Sequence, residues 1–353
     1  MQMSAEATRS ALASGPQAAP HRIAARELLT QEQLGALRSR SLPRSLWMIG
    51  HAWAVIFAAM ALVAWWSNPL TFVIAVVLIG SRQLGLAILM HEGAHGCLSK
   101  NQNLNLWLSQ WLCAYPIGAE TRAYRHYHLQ HHARTQREDD PDLILSRPFP
   151  ITKASYRRKF WRDITGRTGF EQRKAQVLMA LGDAQWPIKQ RLRHFRDRLG
   201  PQLVANIILF AGLALAGVWW AYPLLWVLPL LTWFMVVTRI RNIAEHAVVG
   251  DADDPLRNTR TTLVNWIERA VVAPYFVNYH LEHHLFYYIP CYNLPRLHRI
   301  LAAGPHRDRM EVAPGYLAVL GKATARPDEE DHPGELVHGL RRQANENSAK
   351  AGF

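Results

Sequence analysis

The chain has too little cysteine for a disulfide framework. Its 353 residues include three, Cys97, Cys113 and Cys291. An odd number with no C-x-x-C spacing suits a reducing compartment and excludes a disulfide-stapled secreted scaffold. Short-period repeats are missing as well, which excludes a collagen-like or low-complexity chain, and an apolar share of 49% excludes general disorder. Acidic residues are scarce, 27 Asp and Glu against 40 Lys and Arg, for a net charge of +13. That excess suits nucleic acid, an anionic membrane surface or an acidic partner, and composition alone does not choose among them. Residues 1–46 are Ala-rich, polar and basic without an apolar core, so no signal peptide is expected there.

Charged residues are only 19% of the chain, and a mean hydropathy of −0.10 conceals how the apolar ones are gathered. Trp47 to Trp66 carries no charge over twenty residues, enough to cross a hydrocarbon core of roughly 30 Å at about 1.5 Å per residue. Ser67-Asn68-Pro69 leads into a second run, Leu70 to Met90, broken only by Arg82. A third runs from Leu203 to Tyr222, and Pro223 turns the chain into a fourth, Leu224 to Thr238. Each pair is predicted to form a hairpin, because its link is too short to hold anything outside a bilayer. Neither link has a Lys or Arg, whereas residues 91–200 carry nineteen and the N-terminal arm has Arg22, Arg26, Arg38, Arg40 and Arg44. The positive-inside rule then places both termini and the middle segment in the cytoplasm.

The membrane thus accounts for the basic charge, and no nucleic-acid partner is expected. Arg82 and Arg239 are expected to snorkel at the headgroups, and the Trp-rich ends (Trp47, Trp65, Trp66, Trp219, Trp220) to anchor at the interface. Amphipathic stretches at 104–118 and 263–279 are expected to lie along the cytoplasmic interface. The expected organisation is a partly disordered polar arm (1–44), a membrane domain (45–305) and a cytoplasmic tail (306–353). Within the domain the spans fall near 47–66, 70–90, 203–222 and 224–238, with a cap from 91–200 and 241–305. From about residue 322 the polar tail is expected to be mobile.

Histidine is where the chemistry gathers. Of seventeen, nine fall in four groups: His91-x-x-x-His95, His128-x-x-His131-His132, Asn242-x-x-x-His246 and His280-x-x-His283-His284. On a helix, positions i, i+3 and i+4 fall within about 100° of arc, so each group points its imidazoles one way. Imidazole suits zinc, copper, iron and nickel. One H-x-x-H-H is weak evidence, but two copies beside H-x-x-x-H at the end of a span are not coincidence. Nine ligands exceed what one ion uses and suit two metals. His21, His51, His194, His306, His332 and His338 stand alone and read as ordinary surface or core residues.

His91-Glu92-x-x-His95 also fits the zinc-protease pattern H-E-x-x-H. That reading leaves both H-x-x-H-H groups unused and lacks an acidic third ligand, so an intramembrane zinc protease is a remote alternative. A bis-histidine haem protein does not use nine clustered histidines either, and His332-Pro333-Gly334-Glu335 lacks the surroundings of a haem domain.

The order H-x-x-x-H, H-x-x-H-H, N-x-x-x-H, H-x-x-H-H, interleaved with two apolar hairpins over about 45–305, resembles the membrane fatty acid desaturase family. The stretch Tyr279-His-Leu-Glu-His-His-Leu-Phe-Tyr-Tyr-Ile-Pro-Cys-Tyr-Asn-Leu-Pro-Arg-Leu-His298 is similar to its bacterial acyl-lipid and sphingolipid-type branches, and Tyr127-His-Leu-Gln-His-His132 with Asp139-Asp140-Pro141 fits as well. The resemblance implies an all-α integral membrane protein of the bacterial inner membrane. Four transmembrane helices in two hairpins would carry a cytoplasmic helical cap with a di-iron site. Its ligands would be His91, His95, His128, His131, His132, His246, His280, His283 and His284, with Asn242 reaching the metal through water and no catalytic side chain beyond them.

Removing hydrogen from an unactivated methylene is beyond any side-chain acid or base and requires a metal centre that reduces O₂. The implied activity is an O₂-dependent desaturation of a long acyl chain. A lipid hydroxylase or carotenoid-type oxygenase is the alternative, since the same ligands serve both outcomes. No fused cytochrome b5 domain is present, so a separate electron donor, ferredoxin- or cytochrome b5-like, is expected. Glu92, Asp139, Asp140, Asp142, Glu245 and Glu282 stand close enough in sequence to accept the second N–H of a ligating imidazole, and His126 is expected behind the ligands. Arg122, Arg125, Arg157 and Arg158 are candidates for holding a lipid headgroup, an acyl-carrier phosphate or an acidic donor.

Overall fold

A computed structural model describes residues 23–327. The far N-terminal arm and the end of the tail, including His21, His332 and His338, lie outside the described residues. The described chain is mostly helical. Its strands are the two-residue parallel pair Thr261–Thr262 and Val312–Ala313.

Four helices are long and apolar enough to cross a membrane: Leu42–Trp65, Pro69–Ala94, Ile188–Leu215 and Tyr222–His246. The first two pack along each other. The turn between them is set by Asn68, whose side chain accepts from the backbone N–H of Leu70 and Thr71 (3.0 and 3.1 Å). Pro69 follows at the first helical position, where its missing N–H costs nothing. The third apolar run stops earlier than its composition suggests. Its helix ends at Leu215, and Gly217, at φ +77°, reverses the chain. The helix also begins well before the run, at Ile188. The last helix opens with a π-helical turn, Tyr222–Val227, breaks at Thr232, and then runs unbroken from Trp233 to His246.

Pro69–Ala94 is the axis of the molecule. From Ile79 to Ala94 every residue is buried. Burial on all sides requires close neighbours, and its glycines supply them. A Cβ on Gly93 would stand 2.2 Å from Ser109 Oγ, and one on Gly80 would stand 3.0 Å from the Trp233 side chain. The stretch 104–118 therefore lies against this helix, held by Asn105 Nδ2 donating to the Gly93 carbonyl (2.8 Å) and Ser109 Oγ to that of Met90 (3.2 Å). Its Trp107 and Trp111 face outward, as do Trp266 and Ile267 of the 263–279 stretch. The outer faces of the long helices expose large apolar side chains, among them Phe57, Val73, Ile207 and Ile208, an arrangement that suits lipid rather than water. At the helix ends Trp47, Trp65, Trp66 and Trp219 also point out.

The two arginines expected at the headgroups are instead turned inward. Arg82 is 6% exposed; it donates to the Ala270 carbonyl and lies over the Tyr275 ring at 5.7 Å. Arg239 forms a two-point ion pair with the fully buried Asp163, its Nη2 2.9 Å from Oδ1. Both find internal partners that offset the charge, which removes the need to reach water.

Neither end of the described chain hangs free. Ser41 N–H donates to the Tyr292 hydroxyl (2.7 Å), and Asn293 Nδ2 to the Leu37 carbonyl (2.8 Å). Residues beyond 305, expected in the tail, join the core. Val312–Ala313 pairs with Thr261–Thr262, and the helix Tyr316–Ala323 buries Tyr316, Val319 and Ala323, one face at helical spacing, with the helix packing against Trp233–His246.

Asp163→Ala strands the Arg239 guanidinium and is expected to cost about 3 kcal/mol. Thermal unfolding in detergent checks this, and the double variant with Arg239→Gln should recover part of the loss.

Candidate metal centre

Each histidine group is delivered by a different helix. His91 and His95 stand at the C-terminal end of Pro69–Ala94, one turn apart. His128, His131 and His132 lie on Thr121–Arg134, whose first turn is capped by the Glu120 carboxylate accepting from Ala123 N–H (2.6 Å). His246 ends the last long helix, and His280, His283 and His284 occupy the short helix His280–Leu285.

These four helix segments bring the nine imidazoles together as two groups. His91, His95, His128, His132 and His283 form one; His131, His246, His280 and His284 form the other. Within each group the potential ligand atoms lie within 4.8 Å of one another. The division follows helix geometry. In each H-x-x-H-H segment the i and i+4 histidines go to one group, and the i+3 histidine, rotated to the other side, goes to the other. The two segments do so in opposite senses, His128 and His132 against His131, His280 and His284 against His283. Rings of the two groups touch, His132 and His284 having centroids 4.2 Å apart.

The donor set fits metal ions. Nitrogens of paired rings approach head-on: His128 Nε2 to His132 Nε2 at 2.9 Å, His132 Nε2 to His283 Nε2 at 3.0 Å, and His246 Nε2 to His280 Nε2 at 2.8 Å. Such separations are those of neighbouring ligands on one ion with metal–nitrogen bonds of about 2.1 Å. Other buried ring nitrogens have no hydrogen-bond partner among the described residues, including His91 Nε2, both of His95, His131 Nε2 and His284 Nε2. Orphaned buried acceptors in this number call for a ligand that the protein itself does not supply.

Burial favours the neutral, metal-binding form of all but one of the rings outside the long helices. Burial first, then the neighbouring imidazoles, hold His128, His132, His280, His283 and His284 well below the ordinary histidine value. Burial, aided by Arg125, takes His95 down to about 3. His131 alone goes up: burial opposes its charge, but the Asp140 and Asp142 carboxylates outweigh it.

The carboxylates divide into those that touch a ligand and those that do not. Asp140 accepts from His131 Nδ1 at 2.8 Å, which leaves Nε2 facing the group. Asp142, 3.8 Å from the same Nδ1, accepts from the Tyr127 hydroxyl at 2.6 Å. Glu245 lies 3.6 Å from His280 Nδ1 and is held by Arg241 Nε at 2.7 Å. Glu92 lies 3.6 Å from His91 Nδ1, and its other oxygen accepts from Cys291 N–H at 2.8 Å. So employed, and away from the cavity described below, it is not placed to act as the base of a zinc protease.

Two carboxylates stand elsewhere. Glu282 is fully buried but braced from behind by the Thr261 hydroxyl and His298 Nδ1 (2.6 Å), so it orients its helix rather than a ligand. Asp139 is exposed and pairs with Arg134. His126, expected behind the ligands, is exposed and contacts Gln130 Nε2 at 3.3 Å, because it faces away from His128 on the helix. Arg125 donates to the Ala94 carbonyl at the end of the spanning helix, so its role in the described structure is local.

Sequence inspection missed Arg260 and Tyr287. Arg260, 1% exposed, donates to the carbonyls of Ala244 and Ala247 (3.0 and 2.9 Å) and saturates the helix end that carries His246. The Tyr287 ring lies 5.2 Å from that of His95 and 5.3 Å from that of His132, covering the centre on the outer side. Arg260 stands in no motif, and only its long-range partners reveal it.

A cavity of about 190 Å³ opens onto the centre, far more room than a water needs. His91, His128, His131, His246 and His280 line it, as does Asn242, one turn before His246. Leu84, Ala87, Ile88, Phe234, Met235 and Val277 give it an apolar wall.

Two of four membrane-length helices end at two adjacent all-histidine groups, the arrangement of a membrane oxidoreductase of the histidine-box type. Comparison with known proteins agrees: the fatty acid desaturase family model matches residues 64–314, and the chain belongs to that family. It is also 30% identical to the dihydrorhizobitoxine desaturase of Bradyrhizobium elkanii, an alignment covering 82% of this chain and 84% of that one. The chain is thus an oxidoreductase with a desaturase-type function.

Asp140→Asn removes the carboxylate that orients His131. Metal affinity should fall by about 10- to 100-fold, measured by titration of ferrous ion against a chelator; unchanged affinity would exclude that role for Asp140.

Proposed function

We propose that the protein is an O₂-dependent di-iron desaturase that introduces a double bond into a long acyl chain. The observation that carries this is the division of nine histidines, six buried and three partly buried, into a five and a four at the end of an apolar-walled cavity. Two ions, one per group, account for every ligand. Imidazole alone does not select iron; the choice rests on the chemistry, because desaturating an unactivated chain consumes O₂ and electrons. The irons, when bound, supply the oxidising power that breaks the two C–H bonds.

The residues of this chain supply the rest. The apolar wall of Leu84, Ala87, Ile88, Phe234, Met235 and Val277 holds a methylene pair against the histidines and keeps water away from it. Asn242 lines that cavity with His246 and would reach the ion of the four-histidine group through water. Asp140 and Glu245 hold their imidazoles in fixed orientation, while Glu282, Thr261 and His298 clamp the helix that serves both ions. Tyr287, against rings of the five-histidine group and 40% exposed, suits the approach of a separate donor, ferredoxin- or cytochrome b5-like.

We further propose that the four long helices pair as two membrane hairpins, Leu42–Trp65 with Pro69–Ala94 and Ile188–Leu215 with Tyr222–His246, beneath a cytoplasmic cap. Both termini would face the cytoplasm of the bacterial inner membrane. Support comes from the nineteen basic residues of 91–200 and from the second and fourth long helices, both of which end at the histidines.

Gently purified protein is expected to hold about two irons per chain, with little zinc and no haem band. Lipids of expressing cells should gain products lighter by two hydrogens. Alanine at any one of the nine histidines should abolish that product. A product heavier by one oxygen would make the enzyme a hydroxylase, and about one zinc with no iron after anaerobic reconstitution would overturn the di-iron reading.

A further inference from the structure

Three guanidinium groups line the cavity that ends at the histidines: Arg173, Arg239 and Arg241. Two are neutralised by the protein. Arg239 holds Asp163 at two points, and Arg241 holds Glu245. Arg173, on the helix Arg167–Leu181, has no carboxylate partner among the described residues. Its Nη1 donates to Gln176 Oε1 at 2.9 Å and lies 3.5 Å from the Gly118 carbonyl, both neutral acceptors. Nε and Nη2 are left without a partner among the described residues, and together they form the side-on fork that matches the two oxygens of one carboxylate.

The seat of this group is specific. Gly118 sits at φ +77°, and a Cβ there would come 2.7 Å from Arg173 Nη1. Gln176 Nε2 donates to the Gly118 carbonyl at 2.6 Å, which turns the Gln176 carbonyl oxygen toward Arg173. A partly buried cation held by two neutral acceptors is incompletely compensated, and an anion entering the cavity would complete it. Burial alone has drawn its pKa down to about 10, so it keeps its charge at neutral pH.

We infer that Arg173 anchors the anionic end of the substrate, a free carboxylate, from which the chain runs along the apolar wall to the two metal groups. This deepens the acyl-chain reading above and rests on it. An anchor at one end and an oxidant at the other make the cavity a ruler. The double bond is then placed at a fixed number of carbons from the carboxyl end, whatever the length of chain beyond it.

The test uses full-length, iron-loaded protein and radiolabelled saturated fatty acids from four to eighteen carbons, each with its methyl ester, and lysophosphatidylcholine. The parent should bind long acids at least tenfold tighter than their esters. Arg173→Gln should lose that preference while binding the esters as before, and Arg173→Lys should retain part of it. Products from acids of different length should carry the double bond at one position counted from the carboxyl.

Equal binding of acid and ester by the parent, or an undiminished preference in Arg173→Gln, would overturn the anchor. So would tighter binding of lysophosphatidylcholine than of free acid. Arg173-dependent binding confined to the shortest acids would uphold the anchor and remove the long acyl chain.

Discussion

Nine imidazoles packed into one centre are the constraint from which the rest of the structure follows. Six of the rings bury a nitrogen that has no hydrogen-bond partner among the described residues, and each such nitrogen costs free energy unless a ligand takes it. A loose fold would let the rings separate and hydrate. The glycine-tight packing around Pro69–Ala94, the arginine that saturates the end of Trp233–His246 and the brace on Glu282 all remove that freedom. The N-terminal arm and residues 312–323 close around the same assembly from opposite ends of the chain. Metal binding would therefore be linked to folding, since the nine histidines come together only when four helix segments converge.

Charge is handled by the same economy. Arg82, Arg239, Arg241 and Arg260 are all drawn inside, and each is met by a carboxylate, a carbonyl or an aromatic face. Against that background a half-satisfied Arg173 is an exception in a cavity where the other guanidinium groups are paired. Its cavity also reaches both histidine groups, which is why the anchor proposed above would act as substrate selection. The apolar wall between them suits a hydrocarbon chain, which has no other feature for a protein to recognise.

Local spacing made the grouped histidines legible in the sequence. Two H-x-x-H-H segments and an H-x-x-x-H at the end of an apolar run singled them out, because helix periodicity keeps i, i+3 and i+4 within about 100° of arc, although the structure sends the i+3 ring of each segment to the other group. The four apolar runs were legible for the same reason, although Gly217 ends the third helix earlier than hydropathy suggests. What spacing could not reveal was direction. Glu282 and Asp139 stood beside grouped histidines in sequence, but Glu282 accepts from His298, outside the two groups, and Asp139 pairs with Arg134. Arg82 and Arg239 looked like headgroup anchors and point inward because Ala270, Tyr275 and Asp163, remote in sequence, receive them.

By itself, the sequence determined which nine histidines stand in grouped motifs, which segments are apolar enough to cross a bilayer and where the positive charge lies. All of these are properties of neighbours within a few residues. Only the tertiary structure decided how the nine divide into five and four, which carboxylates face them and which of the three cavity arginines has no carboxylate partner among the described residues. Those outcomes depend on contacts between segments up to a hundred residues and more apart, such as Gln136 with His246 or Cys291 with Glu92. No local pattern encodes them, because the free energy that fixes them comes from packing the helices together.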